Sequence, residues 1–146
     1  MSHDPIRDRP PPGYLPLTSG TAVEDFCGPY YVRDGDGPSR LGFRVLPHHV
    51  NARNVCHGGL LSLFSDVLGY VLPELPRRSA SAPTISVSVD FLAPAPLASW
   101  IEGIPKTVKM TRKLLFYQCI VTADGEPVVR CNGIYRILSD SLVAET

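Results

Sequence analysis

The sequence predicts an α+β domain in which a curved antiparallel sheet of about five or six strands wraps around one long central helix. Three observations predict it. Residues Gly58 to Leu75 form a segment that is apolar on nearly every helical face and so needs cover on more than one side. From Thr84 the chain alternates with the period of a strand, setting Ile85, Val87, Val89 and Phe91 on one face and Thr84, Ser86, Ser88 and Asp90 on the other. Three more strand-like runs follow, the last two joined by Asp124-Gly125, a two-residue hairpin signal. One apolar helix among so many antiparallel strands is best covered by a sheet that curves around it.

The elements follow in order. Residues 1–20 carry Pro5, Pro10, Pro11, Pro12 and Pro16 and are expected to form an irregular arm, leaving 21–140 as a single domain. Thr21 to Cys27 suits a short helix. Gly28 to Arg33 and Arg40 to Pro47 suit two strands, joined by the turn-rich Asp34-Gly-Asp-Gly-Pro38. The central helix should run from Gly58 to about Leu75, with Pro73 and Pro76 closing it. After a loop from Pro76 to Pro83 comes the alternating strand, ended by Pro94 and Pro96. Trp100 to Thr111, Leu115 to Ala123 and Pro127 to Leu138 complete the sheet. No internal repeat or second domain boundary is visible.

Composition narrows the functional classes. A chain of 146 residues holds one ordinary core, and 44% hydrophobic with 19% charged residues describes a soluble globular chain. Lys+Arg and Asp+Glu balance at 14 each, so bulk charge gives no case for nucleic acid. No run approaches the roughly 18 apolar residues of a membrane span. The polar first ten residues lack the apolar core of a secretory signal, and a cytoplasmic protein is expected. Cys27, Cys56, Cys119 and Cys131 have neither C-x-x-C pairing nor a histidine at ligand spacing, so reduced, packed thiols and no metal site are expected. Cys56 and His57 are neighbours whose side chains generally point apart.

The chemistry concentrates in Asn51-Ala-Arg-Asn-Val-Cys-His57-Gly58-Gly59. Glycines at a helix mouth leave unpaired N–H groups that a ligand oxygen can approach closely, and the helix dipole favours negative charge there. Gly58 and Gly59 thus suit an oxyanion site made of backbone. Gly59, Ser62 and Asp66, spaced by three and four, form one polar stripe on the helix. Asp66 lies seven residues beyond Gly59, about 10 Å along the axis. One carbon cannot meet both, so a site that uses both must be shared between two subunits. The same residues also fit a plainer reading, with His57 capping the helix and Asp66 held by backbone donors or an arginine.

These residues resemble the hotdog-fold acyl-CoA thioesterases, and within them the phenylacetate-degradation (PaaI-like) branch. The resemblance covers about residues 28–138. It rests on an asparagine six residues before the His-Gly-Gly histidine and an aspartate nine residues after it, here Asn51, His57-Gly58-Gly59 and Asp66. Thr84-Ile-Ser-Val-Ser-Val-Asp-Phe-Leu-Ala-Pro94 is similar to the family's next block, and Asp124-Gly125 with Gly133-Ile-Tyr135 to its closing hairpin. The resemblance implies hydrolysis of an acyl-CoA to a carboxylic acid and free coenzyme A, with no cofactor. It implies that the Gly58 amide polarises the thioester carbonyl and that Asp66 of the partner subunit is general base or nucleophile. Asn51 would place the water or carbonyl, His57 would orient the loop, and Thr84 would support the nucleophilic group.

A homodimer, doubled to a homotetramer, is implied as well. Two positions depart from the family pattern. Asn54 stands where glycine is usual, in keeping with a left-handed backbone that asparagine tolerates. Arg112 stands for glycine before Lys113, and both cations are candidates for the coenzyme A phosphates. The alternatives are a non-catalytic acyl-CoA-binding protein of the same fold and a hotdog dehydratase or hydratase. The latter is disfavoured because the helix carries no glutamate before Glu74.

Overall fold

The computed structural model describes residues 8–77 and 82–138. The expected arm lies outside this for residues 1–7, as do the middle of the Pro76–Pro83 loop and everything after residue 138. In chain order the elements are β1 (Leu15–Pro16), α1 (Ala22–Cys27), β2 (Tyr31–Arg33), β3 (Arg40–Arg44) and α2 (Gly58–Val67). There follow β4 (Thr84–Phe91), β5 (Trp100–Gly103), β6 (Lys106–Met110), β7 (Leu114–Ala123) and β8 (Glu126–Arg136). Short 3₁₀ turns occupy Pro47–His49 and Leu68–Val71.

The strands form one antiparallel sheet in the order β1-β2-β3-β5-β7-β8-β4, with β6 also on β7. The eight strands exceed the five or six expected, for two reasons. The run from Trp100 to Thr111 is two strands rather than one. Pro105 cannot donate to a ladder, and the chain breaks at Ile104-Pro105 before pairing again with the other half of β7. The arm also contributes Leu15–Pro16, paired with Val32 and Tyr31, where irregular chain was expected. Tyr14 explains this, since its ring packs edge-on against Trp100 at 4.9 Å beside Tyr31 and its hydroxyl bonds Glu102.

Helix α2 lies on the inner face of the sheet. Leu61, Phe64, Val67 and Leu68 are buried in one core with Leu41, Phe43, Ile101, Leu115 and Tyr117. The contact is close, since a Cβ on Gly103 of β5 would lie 2.7 Å from Leu68. The helix stops being α-helical at Val67, not near Leu75 as expected, because tyrosine hydroxyls from the sheet take up its next backbone groups, as described below.

Strand β4 is an edge strand. Among the described residues it pairs with β8 alone, and the expected alternation breaks at Ile85, where a bulge between Thr84 and Ser86 puts Thr84 on the same inner face as Val87, Val89 and Phe91. Val87 and Val89 are half-buried while Ile85 and Phe91 remain 56% exposed. Among the described residues nothing pairs with the outer edge of β4, whereas Leu60 and Leu63 of α2 are partly buried against the core.

Candidate active site

The mouth of α2 is held by two strands of loop. The His57 N–H donates to the His49 carbonyl at 2.8 Å, and the Cys56 N–H to the Ala95 carbonyl at 2.7 Å. His57 is the N-cap residue, and its Nδ1 accepts from the Gly59 N–H at 2.9 Å. The imidazole proton therefore sits on Nε2, on an exposed ring. This geometry meets the capping reading of His57. It also separates the two glycines. The Gly59 N–H is taken, whereas the Gly58 N–H at the first helical position has no intrahelical partner and none among the loop hydrogen bonds.

Beside Gly58 lies a cleft of about 310 Å³ whose walls include Cys56, Leu61, Phe91, Leu92 and Ala95. Its lining is apolar. Phe91, from the end of β4, would be 3.3 Å from a Cβ placed on Gly58. Burial pushes the Cys56 thiol up to about 12, so it stays protonated near neutrality and is a poor nucleophile.

Asn51 opens the tight loop that leads to His57. Its Oδ1 accepts from the Arg53 N–H at 2.9 Å and its N–H donates to the Val55 carbonyl at 2.9 Å. Its carboxamide NH₂ makes no bond among the described residues. Asn54 adopts the left-handed conformation expected of it, with φ 63°.

Asp66 is half-buried at the far end of α2 and accepts a hydrogen bond from the Thr84 hydroxyl of the same chain. Gly58 and Asp66 remain eight residues apart on an unbroken α-helix, about 12 Å. Ser62, between them, turns its hydroxyl back to the Gly58 carbonyl at 2.9 Å. Arg112 and Lys113 are exposed in the β6–β7 turn. That turn is at the Asp66–Thr84 end of the sheet, because Leu115 and Thr84 both pair with Tyr135. The chain thus holds two separate candidate half-sites, Gly58 with Phe91 and Asp66 with Thr84, at opposite ends of β4.

One residue that the sequence pattern did not single out for the site stands at the second half-site. The Tyr135 hydroxyl donates to the Asp66 carbonyl and accepts from the Gly69 N–H at 3.1 Å. The alternation of Cys131, Gly133, Tyr135 and Ile137 marks it as inward-facing, but nothing local marks its target. Among the described residues no three His, Cys, Asp or Glu side chains assemble as a metal set. No described helix is long and apolar enough to cross a membrane.

No curated protein matches the sequence. The fold is similar to that of the phenylacetic acid degradation protein PaaI from Thermus thermophilus, solved as a mutant, with TM-score 0.68 and 19% identity over 81% of this chain and 100% of that one. The E. coli PaaI protein, from the phenylacetic acid degradation operon, gives TM-score 0.68 and 16% identity over 82% and 86%. A hypothetical thioesterase from Streptococcus pneumoniae, solved with coenzyme A, gives TM-score 0.64 and 19% identity over 75% and 85%. At such identities the likeness establishes the fold, a hotdog. The sequence itself matches the thioesterase superfamily over residues 53–129, a span that runs from the α2 mouth through the Asp66–Thr84 pair to the start of β8. With more than half of its length matched, the chain belongs to the thioesterase superfamily.

Proposed function

We propose that this protein hydrolyses an acyl-CoA thioester at a site shared by two subunits, with the Gly58 N–H from one and Asp66 with Thr84 from the other. The observation that carries the reading is the position of the half-sites on β4. Gly58 touches the Phe91 end, and Asp66 bonds Thr84 at the other. β4 is an edge strand with unpaired backbone groups, a ready template for a second copy. Pairing β4 antiparallel with its copy about an axis at Ser88 sets Val87 opposite the partner's Val89 and, through the bulge between Thr84 and Ser86, brings Thr84 opposite the partner's Phe91. Each Asp66 then faces the helix mouth of the other subunit, and the same pairing covers the half-exposed apolar face of β4.

In this reading the thioester carbonyl oxygen lies at the Gly58 N–H, where the helix N-terminus stabilises the charge of the tetrahedral intermediate. The partner's Asp66 takes a proton from an attacking water or attacks the carbonyl itself. Both routes end in a carboxylic acid and a free thiol. The apolar cleft beside Gly58 suits an uncharged acyl group, and Arg112 and Lys113 supply cations near the Asp66 end for the phosphates of coenzyme A. His57 supports the Gly58 geometry as cap, and the free Asn51 carboxamide is a donor for water or carbonyl. The protein is expected to work without a cofactor, as a dimer or a dimer of dimers.

The test has two parts. Thiol release from a panel of acyl-CoA substrates separates an enzyme from a binding protein of the same fold. Complementation then tests the shared site. Asp66→Asn and Gly58→Val should each be inactive alone, the valine because it meets Phe91 and fills the helix mouth. Unfolded together and reassembled, random mixing places both lesions in one site of each mixed dimer and leaves the other intact, restoring roughly a quarter of wild-type activity. Mixed dimers verified by mass that stay at the parents' level would refute the shared site.

A further inference from the structure

We propose that Tyr135 is a positioning residue for the Asp66 carboxylate, acting through the backbone of α2; the inference rests on the reading of Asp66 as the reacting carboxylate. The last α-helical bond of α2 runs from the Leu68 N–H to the Phe64 carbonyl. The next in an unbroken helix would join the Gly69 N–H to the Ser65 carbonyl. Neither group keeps that partner. The Gly69 N–H donates to the Tyr135 hydroxyl at 3.1 Å, and the Ser65 carbonyl accepts from the Tyr117 hydroxyl at 2.6 Å.

The Tyr135 hydroxyl also donates to the Asp66 carbonyl, so it is inserted into the helix ladder as a bridge between Asp66 and Gly69. Burial pushes both tyrosine pKa values up, which keeps the donating protons in place near neutrality. The two rings stack at 5.1 Å and 8° on neighbouring strands, each limiting the movement of the other. Gly69 permits the approach, for a Cβ there would lie 2.9 Å from the Tyr135 Cζ and hydroxyl.

The insertion bears on the site because Tyr135 governs both members of the Asp66–Thr84 pair. Its hydroxyl fixes the backbone of Asp66, and its own backbone lies opposite Thr84 in the β4–β8 register. Without the hydroxyl, the Gly69 N–H and the Asp66 carbonyl seek partners within the helix, and the turn carrying Asp66 re-forms at a different angle to β4. A displacement of about 1 Å in a reacting group can cost 10²-fold in rate.

The test compares Tyr135→Phe with Tyr117→Phe. Each removes one hydroxyl from the same ring stack, but only the first touches the Asp66 carbonyl. Tyr135→Phe should lower kcat roughly 10- to 100-fold with little change in KM, the signature of lost alignment rather than lost binding. Tyr117→Phe should keep most of its kcat even if its thermal midpoint falls as far. A second readout is independent of turnover. The side-chain carboxyl ¹³C resonance of Asp66, which senses the Thr84 hydrogen bond, should move in Tyr135→Phe and in Thr84→Val and stay in Tyr117→Phe.

If Tyr135→Phe does not fold, Gly69→Ala pushes the same hydroxyl away from the other side and should give the same two results. Wild-type kcat with an unmoved Asp66 resonance overturns the proposal, and so do equal effects of the two phenylalanine variants. Asp66→Asn, assayed in parallel, separates the two levels. Near-normal turnover in that variant removes the role of Asp66 itself, whereas an inactive Asp66→Asn beside an unaffected Tyr135→Phe removes only that of Tyr135.

Discussion

Asp66 accepts from a hydroxyl and, among the described residues, pairs with no cation. A half-buried carboxylate without a counter-charge gives up hydration for little return in stability, which favours a chemical role over a structural one. Asparagine at this position keeps the shape and an oxygen that can still accept from Thr84, but loses basicity. Asp66→Asn should therefore fold and assemble normally, bind a non-hydrolysable acyl-CoA nearly as before, and lose at least about 10²-fold in turnover, the lower range for general base catalysis. Unfolding of the variant, or near-normal turnover by thiol release, would show that the carboxylate serves something else.

At the scale of elements, the approach to α2 depends on a buried histidine. His49 is 1% exposed; its Nδ1 accepts from the Leu46 N–H at 2.9 Å, and its Nε2–H donates to the Cys27 carbonyl at 2.6 Å. It ties the turn before the Asn51 loop to the end of α1, and it needs the neutral tautomer to do so. Burial holds its pKa below the ordinary value of 6.5. In the unfolded chain His49 binds its proton near pH 6.5, while in the folded chain it resists until lower pH. Its contribution to stability is thus complete above about pH 6.5 and is lost as pH falls through the lowered folded value. The thermal midpoint should decline from pH 7 toward pH 5, and His49→Gln, less stable throughout, should lose part of that slope. Parallel pH profiles for the two proteins would count against this account. The same buried anchor positions His57, whose N–H bonds the His49 carbonyl.

For the whole molecule, the open edge and half-covered face of β4 set the main expectation. A single chain leaves Ile85 about half exposed at one end of β4 and Phe91 and Leu92 about half exposed at the other, beside the cleft, and in the proposed dimer a second copy completes both sheet and site. Light scattering at micromolar concentration should give a dimer or a tetramer. Val87→Lys places a charge near the middle of β4, where a two-fold axis brings it close to its own copy. The variant should dissociate and lose turnover together, since neither half-site works alone. A monomer with full activity, in this variant or in the wild type, would sink the dimer and the shared site at once.

The sequence alone determined the features that depend on a few neighbouring residues. Left-handed Asn54, the His57 cap followed by two glycines, the alternation of β4 from Ser86 onward and the turn at Asp124-Gly125, with φ of 47° and 86°, all follow from local backbone preferences and were legible as such. The separation of Gly58 from Asp66 was legible too, because helical rise is fixed by backbone geometry. Tertiary structure decided where the helix ends. Leu68 to Leu72 offers Gly69 as a weak point in the helix, but the hydroxyls that intercept its ladder come from Tyr117 and Tyr135, some fifty to seventy positions away in the chain. It also decided that part of the arm becomes a strand, through Tyr14 on Trp100, and that the apolar face of β4 is half uncovered. Periodicity shows that a face must be buried and is silent about which surface buries it, because hydrophobic burial is non-directional and the contacts that choose the partner are distant in sequence.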